Sequence, residues 1–221
     1  MQWIRSLWFI ITQMINIWYI GITKVEDEIM DTKVRCNWNT DDEIYIAYHD
    51  AEWGVPIHDD RLLFEFLILE GAQAGLSWIT VLKRRDNYRE AYDNFNIQTV
   101  ANYTEEDEER LKANSGIIRN KLKIKSSIKN ARATLKVQEE FGSLSNYLWS
   151  FVGGKTIVNH IKDFSEMQAT SEISDKMSKD MKRRGFSFCG STIMYAYMQA
   201  TGMVNDHFVS CFRYEECLKL L

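Results

Sequence analysis

The chain has 221 residues, a formal net charge of −4, 45% hydrophobic and 26% charged residues, and four cysteines. That composition describes an ordinary globular protein of one large domain or two lobes. It excludes recruitment to nucleic acid or an anionic membrane by a global field, and also a small secreted disulfide scaffold.

The first thirty residues stand apart. MQWIRSLWFIITQMINIWYIGI is apolar and aromatic, with Arg5 near its start and Glu26, Asp27 and Glu28 behind it. It has no small-residue cleavage site, and Gln13 and Asn16 interrupt it. A spanning helix wants about 20 uninterrupted apolar residues, which this segment does not supply. Residues 1–30 therefore read as an extension upstream of a domain over 31–221, the alternative being a membrane-associated anchor.

From Asp31 onward apolar residues recur at helical spacing and almost nothing alternates at period two. Thr40 followed by Asp41, Asp42 and Glu43 reads as a helix start, because acids favour the first turn. Asp59 and Asp60 open the next helix, which runs through FEFLILE to Glu70. Glu70 shares a face with Phe66 and Leu67, where a carboxylate is costly unless something pairs with it. Ser77 caps the following helix, which leads to Lys83, Arg84 and Arg85. Thr104, with the acids after it, starts another. Lys121 to Glu140 is long and basic in its first half. Ser174 and Asp175 start a helix that stops at Gly185, and Ser191 restarts one that ends at Gly202. The fold class is all-α.

Two pairs of soft or borderline ligands lie near opposite ends of this domain. Cys36 and His49 form one, and His207 and Cys211, spaced H-x3-C, form the other. A Cys2His2 set makes a closed tetrahedral zinc site, and here it would staple the N-terminal segment to the C-terminal one. Spacing alone leaves buried core residues as the other reading. Residues 181–209, MKRRGFSFCGSTIMYAYMQATGMVNDHFV, read as two helices around a glycine-bounded turn. Such a hairpin can offer backbone N–H groups and a helix N-terminus to a phosphate, or simply connect two helices.

RCNW, YIAYHDAEWGVP, LEGAQAGLSWITVLKRR, GIIRNKLKI, YLWSFV, KRRGFSFCGSTIMYAYMQATG and VNDHF run in order over Arg35 to about Tyr214. On these stretches the chain resembles DNA-3-methyladenine glycosylase I, of the helix-hairpin-helix glycosylase superfamily. The resemblance implies a two-lobed all-α fold and hydrolytic removal of 3-methyladenine from alkylated DNA by base flipping. It implies a structural zinc on Cys36, His49, His207 and Cys211. It implies a base pocket walled by Tyr48 and Trp78, with Trp53 close by and Trp38 as a further wall. It places Glu70 at the pocket floor as the residue expected to carry the chemistry, accepting the exocyclic amine hydrogens of the lesion. The competing expectation, from another class, is a zinc-stapled DNA-damage binder that has lost catalysis.

Two departures from the superfamily matter. Its usual acid position after the hairpin holds Asn205, with Asp206 one step late, so no general base can be named. Ser191 and Thr192 follow Gly190 where bifunctional members carry a lysine, which argues against strand nicking. Gly75 and Leu76 form a small-then-apolar tip suited to wedging into the gap left by a flipped nucleotide. Lys182, Arg183 and Arg184, with Gly190, are the expected phosphate contacts. The runs Lys83–Arg85 and Arg119, Lys121, Lys123 and Lys125 read first as solvated helix faces. Ala72, where the family commonly has glutamine, is expected to alter substrate fit modestly. The expected partner is double-stranded DNA with alkylated bases, bound by a cytoplasmic monomer without an obligatory protein partner.

Overall fold

Side chains cap most of the helices, the first of them two residues after the expected Thr40. Asp42 accepts from the Ile44 amide ahead of α1 (Glu43–Ala51), and Asp59 from the Leu62 amide ahead of α2 (Asp60–Gln73). Ser77 precedes α3 (Trp78–Leu82), but its hydroxyl bonds the Thr80 hydroxyl at 2.7 Å instead of a backbone amide. The computed structural model describes residues 33–37 and 41–221. The expected extension over 1–30 and the expected pocket wall Trp38 lie outside those residues.

After α4 (Arg85–Ala91) and α5 (Ile97–Ala101), a capping box of Thr104 and Asp107 opens α6 (Glu105–Ala113). Asn120 caps α7 (Lys121–Phe141), the longest described helix, and Ser143 caps α8 (Leu144–Ser150). α9 runs Glu172–Arg183. It begins before the expected Ser174–Asp175, because Ser171 and Ser174 form a capping box and so make Ser171 the first cap. α10 (Ser191–Ala200) and α11 (Phe212–Leu218) complete the helices. Strand β1 (Ile157–Val158) pairs in parallel with β2 (Val204–Asn205), Ile157 opposite Val204. These two short strands leave the class all-α.

Cys36–Leu221 forms one compact unit; of the other, Met1–Arg35, only 33–35 are described. Within the larger unit α2 is buried from Leu63 to Ala72. It packs against α7, α8 and α10. Tyr197 of α10 fixes this contact by donating to the Leu63 carbonyl at 3.0 Å. Gly202, at φ +71°, lets the chain after α10 approach the loop at Pro56, where a Cβ would lie 2.4 Å from the backbone. Glu70 lies near the C-terminal end of α2.

Candidate functional site

Two of the buried residues of α2 are glutamates, and they are treated oppositely. Glu65 accepts from Arg85 Nε at 2.6 Å and Arg89 Nε at 3.0 Å, with Arg61 at 3.4 Å. Arg85 also reaches Glu52 at 2.5 Å, and its guanidinium lies 4.9 Å over the Phe66 ring. Glu70 is only 4% exposed, yet among the described residues no hydrogen bond or ion pair engages its carboxyl. Burial alone pushes that carboxyl up from the ordinary 4.5 to about 8. A fold that surrounds one glutamate with arginines and leaves the next bare has left room for a ligand.

Glu70 lines a cavity of about 370 Å³ walled by Tyr45, Tyr48, Trp53 and Trp78, with Gln73 and Gln199 among its polar groups. The Tyr48 and Trp78 rings lie 5.4 Å apart and tilt by 51°. Burial, then the charges of Glu70 and Glu52, hold the Tyr48 phenol well above its ordinary value, so it stays a hydroxyl donor. The Trp78 indole Nε1 is buried with no acceptor among the described residues. Flat aromatic walls, one unmatched carboxyl and one unmatched donor suit a planar, polar guest.

A second cluster adjoins the first through α1. Cys36, His49, His207 and Cys211 are all buried, with one donor atom each within 4.8 Å of one another. Cys211 Sγ lies 3.6 Å from His49 Nε2 and 3.7 Å from His207 Nδ1, and Cys36 Sγ lies 3.6 Å from His207 Nδ1. The other ring nitrogens are occupied: His49 Nδ1 lies 2.8 Å from Asp50 Oδ1, and His207 Nε2 lies 2.9 Å from the Trp53 carbonyl oxygen. Those outer partners favour the tautomers that turn the second nitrogen of each ring toward the cysteine sulfurs. The Cys36 thiol, then His207 and His49, draw the Cys211 thiol well below its ordinary value, which favours the thiolate. Such a set could hold a metal ion. His49 directly follows Tyr48, and Trp53 both lines the cavity and orients His207.

Beyond the cavity, α9 and α10 form a hairpin tied by Ser174 and Ser191, whose hydroxyls lie 2.8 Å apart. Gly185 turns the chain at φ +95°. Lys182 and Arg183 are exposed, the latter beside Asp180. Arg184 is engaged within the protein, at 2.6 Å from Glu140 and 2.7 Å from Asp180, and stacks over Phe141 and Tyr147. Gly75 turns at φ +79° and presents Leu76, 41% exposed. Lys123 donates to the Ala72 and Ala74 carbonyls, both at 2.7 Å, so it clamps the base of that turn.

Residues 38–214 match the methyladenine glycosylase family. The chain belongs to this family. DNA-3-methyladenine glycosylase 1 of Escherichia coli is 49% identical over 180 residues, which cover 81% of this chain and 96% of the relative. A crystal structure of a 3-methyladenine DNA glycosylase I, also 49% identical, superposes with a TM-score of 0.79 over 81% of this chain and 98% of that one. A 3-methyladenine DNA glycosylase I from Staphylococcus aureus, solved for its recognition of 3-methyladenine, is 34% identical with the same TM-score of 0.79, over 80% and 95% of the two chains.

Of the residues the sequence singled out in this glycosylase, Glu70, Tyr48, Trp53 and Trp78 converge on one cavity. The four metal-ligand candidates converge on another centre. Ala72 is buried and does not line the cavity, its carbonyl serving Lys123 instead. Sequence reasoning missed Tyr45, Gln73, Gln199 and the segment that brings Phe164 and Met167 to the rim. Tyr45 lies three residues before Tyr48 on the same helix face, a signal the spacing carried. Nothing in the pattern of residues 159–171 announced a cavity wall.

Proposed function

We propose that this methyladenine glycosylase hydrolyses the N-glycosidic bond of 3-methyladenine in alkylated DNA, after flipping the nucleotide into the cavity, and leaves the strand intact. The observation that carries the reading is the bare Glu70 carboxyl beneath aromatic walls. Methylation at N3 gives the lesion a positive charge and weakens its glycosidic bond. The base departs neutral, so the protein needs little acid catalysis. Tyr48 and Trp78 attract the cationic ring through their faces, and Glu70 accepts its exocyclic amine hydrogens. Extrusion from the stack is the step that binding energy must drive.

The strand would lie along the hairpin and the Gly75–Leu76 tip. Leu76 fills the vacated space, while Lys182, Arg183 and the Gly190 amide meet phosphates. Arg184 serves the hairpin instead, through Glu140 and Asp180. Asn205 is buried, its Oδ1 accepting from the His207 amide and its Nδ2 donating to the Tyr214 carbonyl. No acid from that position is offered to the cavity, in keeping with a reaction that relies on the charge of its substrate. Among the described residues no helix is long and apolar enough to cross a membrane. We take the domain to be 31–221, acting in the cytoplasm as a monomer.

The metal is proposed to be zinc. Zinc–sulfur bonds of about 2.3 Å and zinc–nitrogen bonds of about 2.0–2.1 Å give a tetrahedral S···N edge of roughly 3.5–3.6 Å. The donor separations of 3.6 to 3.7 Å match that edge. Four protein ligands leave no open position, so the ion would hold segments together and supply no chemistry to base release. Metal analysis of protein purified without chelators is expected to give one zinc per chain. A protein lacking zinc altogether would contradict the assignment.

The deciding experiment is incubation with methylated duplex DNA, with the released bases and the strand both identified. Release of 3-methyladenine with an intact abasic strand is expected. Ser191 and Thr192 follow the hairpin glycine, so the position that would supply a Schiff-base lysine holds a hydroxyl residue instead. A protein–DNA adduct trapped by borohydride at the rate of base release would overturn the hydrolytic reading, and absence of base release would overturn the function.

A further inference from the structure

Asp206 is 1% exposed and fully engaged. Its Oδ1 accepts from Asn159 Nδ2 at 2.7 Å; its Oδ2 accepts from the Tyr195 hydroxyl at 2.9 Å and from Gln199 Nε2 at 2.8 Å. A carboxylate that takes three donors is an acceptor throughout. The Gln199 amide therefore cannot turn over, because its oxygen would then face a carboxylate oxygen. The Gln199 backbone is held as well, its carbonyl accepting from the Gly54 amide at 3.1 Å beside the cavity wall Trp53. Gln199 lines the cavity, and among the described residues nothing donates to its Oε1.

We propose that Gln199 is a specificity-determining residue whose Oε1, fixed by the positioning residue Asp206, selects a 3-methylpurine with an exocyclic amine at C6 over its 6-oxo counterpart. The inference rests on the methyladenine glycosylase reading of the cavity. An acceptor that cannot rotate favours an amine and meets a carbonyl oxygen with repulsion, so discrimination comes from the mismatch as much as the match. Glu70 discriminates less on its own. Burial pushes it up to about 8, so in the empty cavity near neutral pH it is mostly a carboxyl able to donate or accept.

The test is the ratio of 3-methyladenine to 3-methylguanine released from one methylated duplex preparation. A ratio taken within one digest does not depend on how much enzyme is folded, so a merely structural role would leave it unchanged. Gln199→Met should lower the ratio about tenfold, the effect of one neutral hydrogen bond. Asp206→Asn, which offers an amide nitrogen to Gln199 and lets it turn over, should lower it too. An unchanged ratio in Gln199→Met would overturn the proposal. A variant without turnover is read by titration with the two free bases: preferential loss of 3-methyladenine affinity supports the assignment, and equal loss for both overturns it. Wild type that releases no methylated purine would instead defeat the functional reading beneath it.

Discussion

Glu70→Gln is expected to slow release of 3-methyladenine from DNA by about 10- to 100-fold, the range of one hydrogen bond to a charged acceptor, while raising the melting temperature at alkaline pH. The first effect is electrostatic. The lesion is cationic in DNA, and glutamine keeps one acceptor but loses the charge that ion would draw out of Glu70. The second follows from the carboxyl standing bare. Burial lifts its folded value to about 8 against an ordinary 4.5. Between those values the unfolded chain is ionised at this site and the folded one protonated, so the folded state holds the extra proton. Stability then falls as pH rises through that window, by up to about 5 kcal/mol at pH 8 and above, taking 1.36 kcal/mol per unit. Glutamine removes this dependence. At about 2–4 °C per kcal/mol for a domain of this size, the variant should melt about 10–20 °C above wild type at pH 8.5, with the gap shrinking toward pH 5. Single-turnover release and thermal melting at the two pH values check both halves. An unaltered release rate with no gap at pH 8.5 would return Glu70 to a structural role.

Much of this was legible because helices write their boundaries into side chains. Asp59 and the Thr104–Asp107 pair cap where the sequence places helix starts, and Asp42 does so two residues after the expected Thr40. The apolar run through Leu63 to Ala72 reads as a buried helix, which makes Glu70 conspicuous. What the sequence could not carry was partnership. Glu65 and Glu70 look equally lone in the string FEFLILE, and only packing shows that Arg85 and Arg89, twenty or more residues away, reach the first and not the second. Arg184 and Lys123 likewise read as free cations. One pairs with Glu140 on α7, and the other spans from α7 to two carbonyls at the C-terminal end of α2. Long basic side chains choose partners in three dimensions, and a run of charges does not reveal that choice.

The Asp206 cluster failed for a related reason. Asn159, Asp206 and the Tyr195–Gln199 pair come from three separate segments, and helical spacing joins only Tyr195 to Gln199. The metal centre was easier, since histidine and cysteine are few, and their separation along the chain is itself part of the physical effect.

That separation sets the size of the last expected result, which concerns removal of the proposed zinc. Cys36 and His207 are 171 residues apart. In the chain-entropy account, closing a loop of that length restrains the unfolded state by about 5 kcal/mol, and here the link exists only while the ion is bound. Cys36→Ala, or wild type dialysed against a strong chelator, should therefore melt about 10–20 °C lower, at 2–4 °C per kcal/mol. The base pocket should weaken with it. His49 follows Tyr48 on α1, and His207 Nε2 lies 2.9 Å from the carbonyl oxygen of Trp53, so the ligands hold two walls of the cavity. At a temperature where the variant is still helical by circular dichroism, its affinity for free 3-methyladenine should already be reduced. Returning zinc should restore both properties to the chelated protein and neither to Cys36→Ala. The order of loss separates a staple from a catalytic ion, since a staple fails first in stability and only then in binding. A chelated protein that keeps its melting temperature and loses turnover alone would show that the ion takes part in the chemistry.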